Sequence, residues 1–169
     1  MIRTAILTVS DRGAAGERED ASVEEVRGLL GEGLEEVYYE IVPDEGGEIR
    51  AKLTAWADGG EVDLVLTTGG TGLAPRDRTP EATRAVLAFE VPGLAELMRT
   101  EGIKKNPKAA LSRGVVGVRG ETLIVNLPGS PKGAKESLGA ILDILPHALD
   151  TLKAEKRPAQ QNAPEDWHQ

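Results

Sequence analysis

Short apolar runs that stop on polar or glycine-rich residues, with helically spaced segments between them, decide what this chain can become. Ile2–Val9 closes on Ser10 and Asp11, and its length and its β-branched and small apolar residues make it a buried strand. Val37–Val42 is a second strand, ended by Pro43 and Asp44. Val62–Leu66 is a third, apolar enough to be central, and it runs into a glycine-rich loop from Thr67 to Asp77. Between them, Asp11–Asp20 is polar and glycine-containing, which predicts a loop. Ser22 followed by Glu25 has a capping-box pattern, Val23, Val26, Leu29 and Leu30 recur at helical spacing, and Gly31 ends the helix. Ile49, Leu53 and Trp56 place an apolar stripe on a second helix that finishes near Gly59-Gly60.

The second half repeats the theme. Thr79-Pro80-Glu81 predicts a helix start, with Thr79 as N-cap and Pro80 first inside, running to about Phe89. Pro92-Gly93 opens another helix with Leu94, Leu97 and Met98 on one face; that face is either core or a subunit contact. Gly114–Val118 and Thr122–Leu127 are strands around a turn at Arg119-Gly120. Ser130-Pro131 starts a helix through Leu138, and Pro146 breaks the chain before a last helix carrying Leu149 and Leu152. The polar stretch from Lys156 is expected to be a disordered tail (156–169), leaving residues 1–155 as one domain. The alternation predicts an α/β fold, a mostly parallel sheet with helices on both faces. In such sheets ligands bind beyond the carboxyl ends of the strands. Ser10-Asp11, Pro43-Asp44, the glycine loop and Pro128-Gly129-Ser130 should therefore meet on one rim.

Composition narrows the chemistry. A net charge of −8 argues against nucleic acid and anionic membrane as partners. With no cysteine there is no disulfide, thiol nucleophile or cysteine zinc site. No apolar run reaches the ~20 residues of a membrane span, and Met1–Ser10 has no small-residue cleavage pattern, so a cytoplasmic setting is expected. His147 and His168 have no partner at ligand spacing and read as structural or solvated.

The strongest chemical signal is Thr67-Thr68-Gly69-Gly70-Thr71-Gly72, followed by Arg76-Asp77-Arg78 and the helix start at Thr79. Glycines without Cβ atoms let the backbone approach a ligand, and exposed amides with a helix N-terminus behind them suit a phosphate. No G-x-x-x-x-G-K-[ST] or G-x-G-x-x-G occurs, so neither a nucleotide P-loop nor a dinucleotide oxidoreductase is expected. Asn126-Leu127-Pro128-Gly129-Ser130-Pro131-Lys132 supplies a second helix start suited to a phosphate, or an ordinary capped helix. Asp11, Asp44 and Asp77 each follow a strand. They would repel a phosphate unless a magnesium ion lay between them; otherwise they are a turn residue, a helix N-cap and a surface loop residue. Arg76, Arg78, Arg113 and Lys132 are candidate phosphate partners, or solvated surface charges.

Taken in order, Thr8-Val9-Ser10-Asp11, Pro43-Asp44-Glu45, the Thr67–Gly72 loop through Glu81, Pro92-Gly93, Leu111-Ser112-Arg113 and Asn126–Lys132 resemble the molybdenum cofactor biosynthesis family, which includes the molybdopterin adenylyltransferases and the N-terminal domain of gephyrin. The resemblance spans residues 3–152. It implies a three-layer α/β/α fold, a homotrimer, and transfer of AMP from ATP to molybdopterin with Mg2+. It assigns catalysis and metal binding to Asp44 and Asp77. It implies pterin and phosphate contacts at Gly69, Gly70, Thr71, Gly72, Thr79, Ser112, Arg113, Asn126, Pro128, Gly129, Ser130 and Lys132, with Ser10 and Asp11 bordering the nucleotide. The metal-insertion protein of the same pathway is a further partner that it allows. Arg76-Asp77-x-Thr79-Pro80-Glu81 and Leu127–Lys132 resemble the active branch, whereas the compact stretch from Gly133 to Pro146 resembles a sister branch. The alternative is thus a molybdopterin-binding module without adenylyl transfer.

Overall fold

The computed structural model describes residues 1–17 and 20–154; the expected tail and His168 lie outside the described residues. The strands are β1 (Ile2–Val9), β2 (Leu34–Val42), β3 (Leu64–Thr68), β4 (Phe89–Glu90), β5 (Val116–Arg119) and β6 (Thr122–Leu127). The helices are α1 (Asp11–Ala14), α2 (Ala21–Arg27), α3 (Gly46–Asp58), α4 (Thr79–Val86), α5 (Pro92–Lys105), α6 (Pro131–Ile141) and α7 (Leu145–Lys153). The sheet runs β2-β1-β3-β6-β5-β4. The first four strands in that order pair in parallel, while β5 and β4 close one side antiparallel.

The apolar runs are uniform in sequence but alternate in space. Ile6, Leu64, Leu66, Leu123, Val125 and Leu127 face α2, α5, α6 and α7. Ala5, Leu7, Val9, Val65 and Ile124 face α3 and α4 through Ile49, Leu53, Trp56, Ala82 and Val86. Successive strand side chains point to opposite faces, so a strand covered on both sides is apolar along most of its length. The result is the three-layer α/β/α arrangement. With few aromatics available, the core is aliphatic: the large fully buried side chains are all Ile or Leu. No described helix is long and apolar enough to cross a membrane.

Several local expectations need correction. Asp11–Ala14 forms a short helix, because Ser10 Oγ accepts from Gly13 N at 3.0 Å and caps it. The α2 N-cap is Asp20, not Ser22: the Asp20 carboxylate accepts from Val23 N and from the Ser22 hydroxyl, so Ser22 lies inside the helix. That helix ends at Arg27 instead of reaching Gly31. Thr79 is the first residue of α4, whose N-cap is Arg78, and α4 stops at Val86 because Phe89 and Glu90 pair with β5. Leu94 and Met98, with Leu97 beside them, pack into the core, so this face is not a free subunit contact.

The bottom of the sheet is held by a buried carboxylate. Asp63, 3% exposed in its side chain, accepts from Arg3 N at 2.8 Å and pairs with Arg3 and with Lys153 of α7, each at 2.9 Å. Burial alone would push its carboxyl up. The Arg3 bonds and the Lys153 charge more than reverse this and hold it far below the usual carboxylate range. Because the folded value is depressed, its stabilisation is present above the unfolded value near pH ~3.9 and is lost as pH falls toward the folded one. Asp63→Asn should destabilise by about 1–3 kcal/mol at pH 7. In urea melts the gap to wild type should shrink progressively in acid below pH ~4.

Candidate active site

Strand order reverses between β1 and β3: the chain goes from β1 to β2 on one side, then crosses to β3 on the other. A crevice opens at the carboxyl ends of strands at such a point. There a cavity of about 330 Å3 is lined by Thr8, Ser10, Thr68, Gly69, Gly129 and Ser130. A second, of about 510 Å3, lies against Gly70, Thr71, Gly72 and Asp77 on one side and Ser112, Lys132 and Glu136 on the other. Gly129 and Ser130 line both. The rim expected from topology is therefore one site with two chambers.

The glycine loop forms the floor. Gly69 and Gly70 have φ of +94° and +69°, in the left-handed region that favours glycine. A Cβ on Gly69 would collide with Val9 O, and one on Gly70 with Thr79 Oγ1. The loop carbonyls are turned away from the cavities and tied off. Gly69 O accepts from Thr79 Oγ1 (2.9 Å), Gly70 O from Thr79 N (3.1 Å), Thr71 O from Arg113 N (2.8 Å) and Gly72 O from Arg113 Nε (2.8 Å). The N–H groups of Gly70, Thr71 and Gly72 donate to no acceptor among the described residues. Backbone dipoles arranged this way make a concavity for anions. The start of α6 faces the same place: Ser130 Oγ caps Gly133 N at 3.1 Å, and Lys132 is exposed beside it.

Some expected contacts brace the site from behind instead. The Thr79 hydroxyl is fully buried and committed to Gly69 O. Asn126, 1% exposed, donates to Thr67 and Thr83 hydroxyls and accepts from Val115 N, which leaves its amide nothing for a ligand. The Arg113 guanidinium donates to Gly72 O, Asp77 O and the Glu81 carboxylate, so it acts as a strut across the loop. Arg76 is likewise occupied, bridging Asp11 (2.7 Å) and Glu45 (2.9 Å). Of the four cations expected near phosphate, Arg78 and Lys132 form no ion pair among the described residues.

The acidic residues converge. Asp11 N donates to Asp44 Oδ2 and Asp44 N to Asp11 Oδ1, both at 3.0 Å, a reciprocal clasp between the ends of β1 and β2. Asp44 Oδ1 lies 3.4 Å from where a Gly70 Cβ would stand, and Asp77 Oδ2 lies 2.8 Å from the equivalent point on Gly72. Asp77 Oδ2 also accepts from Ala74 N at 3.0 Å. Bonds from Arg76 hold the Asp11 carboxyl low. The Asp44 carboxyl is pushed up, first by burial and then by the charges of Asp11 and Asp77, against the opposing pull of Asp11 N–H and Arg76. Among the described residues no cluster of three or more His, Asp or Glu suits a metal by itself.

Sequence reasoning missed one wall of the first chamber. Asp20 accepts from the hydroxyls of Thr8, Ser22 (2.6 Å) and Tyr39 (2.9 Å), and Thr8, Asp20 and Ser22 line the cavity. The available signal was an Asp placed to cap the apolar helix that follows it.

The loop and the acidic rim can each be probed by one substitution. Gly70→Ala should lose about 1–3 kcal/mol to backbone strain alone, with a further loss from the clash at Thr79, read by thermal melts. Asp44 has a raised folded pKa, so its ionisation opposes folding, and stability from this group falls as pH rises through that value. In metal-free buffer Asp44→Asn should therefore melt above wild type at pH 7, and the advantage should shrink as pH falls below ~3.9, where the carboxyl becomes protonated in the folded and the unfolded chain alike.

Comparisons with known proteins show the family and the fold. The family described as "Probable molybdopterin binding domain" matches residues 5–147. The chain is 44% identical to the molybdopterin adenylyltransferase of Helicobacter pylori, over 89% of this chain and 88% of that one. It is 47% identical to the molybdenum cofactor synthesis protein cinnamon of Drosophila melanogaster over 89% of its own length, yet it spans only 26% of that larger protein. The crystal structure of the molybdopterin biosynthesis enzyme MoaB from Thermus thermophilus superposes with a TM-score of 0.86 at 62% identity, covering 90% of this chain and 96% of that one.

Proposed function

The chain belongs to the molybdopterin-binding family of molybdenum cofactor biosynthesis, and from that premise we propose that it is a molybdopterin adenylyltransferase, joining the AMP part of ATP to the phosphate of molybdopterin. The observation that carries the proposal is the pair of chambers meeting at Gly129-Ser130, with free backbone amides on the glycine loop between them. A nucleotide in the Ser10 chamber and a pterin in the Ser112–Lys132 chamber would bring their phosphates together over that loop.

The pterin phosphate is its own nucleophile. One of its oxygens attacks the α-phosphorus of ATP, the bond to the β-phosphate oxygen breaks, and pyrophosphate leaves with the electron pair. The protein need only align the two groups and offset their charge. The amides of Gly70, Thr71 and Gly72, the start of α6 and Lys132 supply donors for that purpose. Arg113 and Thr79 keep the loop carbonyls from facing the phosphates.

Asp44 and Asp77 would hold Mg2+. Carboxylate oxygens are the hard donors that magnesium favours, so this pair fits the ion chemically. The charge conflict at Asp44 is one that a divalent cation relieves. When bound, the cation supplies neutralisation of developing phosphate charge. The remaining parts of the proposal are a cytoplasmic homotrimer that passes its product to the metal-insertion protein of the same pathway; sedimentation counts the subunits.

A second reading, in which the site holds the pterin and transfers nothing, is favoured by the short connection from α6 to α7, a single 3-10 turn at Leu142–Ile144. The two readings separate in one assay with protein, molybdopterin, ATP and Mg2+. Adenylylated pterin and released pyrophosphate are expected, and Asp77→Asn should slow transfer by roughly 10²-fold while folding is kept. Pterin binding with no turnover of ATP would establish the second reading instead.

A further inference from the structure

The pterin chamber contains an acceptor that the phosphate chemistry leaves unused. We infer that Glu136 reads the pyrimidine edge of the pterin and sets the specificity of this chamber; the inference rests on the proposed function. Glu136 and Asp77 are the carboxylates lining the cavity of about 510 Å3. Asp77 accepts from Ala74 N and belongs to the acidic rim beside Gly72. Glu136 is half-buried and makes no hydrogen bond or ion pair with any described residue. Lys132 stands one helical turn before it on α6, a spacing at which opposite charges usually pair. Yet the two lie beyond ion-pair distance, and both line the cavity.

A pterin presents its N3–H and exocyclic 2-amino N–H side by side, two donors in one plane. A carboxylate accepts both at once, and charge-assisted bidentate bonds are the stronger kind. The other polar side chains of this wall are hydroxyls, lysines and Asn106, whose oxygen is taken by Lys108 N at 3.1 Å. They offer donors or single acceptors, so Glu136 is the group suited to a two-donor edge. Its place on the helix also fits. It lies six residues after Ser130, about 9 Å along the axis at 1.5 Å per residue, comparable with the span from ring edge to phosphate ester.

The test uses two fluorescent probes, pterin and lumazine, which differ by replacement of the 2-amino group with a carbonyl and bring opposite partners to Glu136. Wild-type protein should prefer pterin by at least about tenfold. Glu136→Gln, whose amide can donate to the lumazine carbonyl, should erase or reverse that preference, and Glu136→Ala should erase it. ATP binding by titration calorimetry and the circular dichroism spectrum should be unchanged in both. A variant that keeps the wild-type preference, or a wild type that does not distinguish the probes, overturns the role of Glu136. A wild type that prefers pterin but transfers no AMP to molybdopterin removes the enzymatic reading and leaves Glu136 in place.

Discussion

Everything in this site depends on carbonyl oxygens being held away from it. A loop rich in glycine can turn either its amides or its carbonyls toward a ligand, and only the first choice accepts phosphate. Here the choice is enforced by donors from elsewhere in the chain. Thr79 takes the carbonyls of Gly69 and Gly70, and Arg113 takes those of Thr71 and Gly72. The positive φ values of Gly69 and Gly70 are the backbone side of the same arrangement. Removing the braces would leave the same residues in the loop with its polarity unsettled.

Much of this was legible in the sequence because strand ends are legible. Ile2–Val9 and the run through Leu66 are long enough and apolar enough to be central, and parallel topology then brings Ser10, Asp44, Gly70 and Gly129 to one rim without any contact being known. The braces were not legible. Asn126 and Arg113 stand inside the motifs that suggest ligand contact, and only their partners, Thr67 and Thr83 for one and Gly72, Asp77 and Glu81 for the other, show that they face the protein. Asp20 was missed for a related reason: its role comes from Thr8 and Tyr39, which approach from different strands. Local pattern identifies which backbone is exposed, and tertiary pairing decides which side chain is free.

The two ends of the sheet handle charge in opposite ways. At the amino ends of β1 and β3, Asp63 is buried with two cations and strengthens the fold. At the carboxyl ends, Asp44 is half-buried beside Asp11 and Asp77, and its charge opposes folding. Active sites commonly carry such local conflict, offset by stability elsewhere. The separation has a physical basis, since the strong pairing of Asp63 lies a full strand length from the rim and does not quiet the groups there.

The shared wall at Gly129-Ser130 has a consequence for what leaves the protein. Under the proposed function, each reactant would occupy one chamber and could depart on its own. Once they were joined, a single molecule would be anchored at both ends, and either end that let go would be held near its seat by the other. Such tethering multiplies retention without any new contact. Under the proposed function, the joined molecule would then leave more slowly than either reactant does.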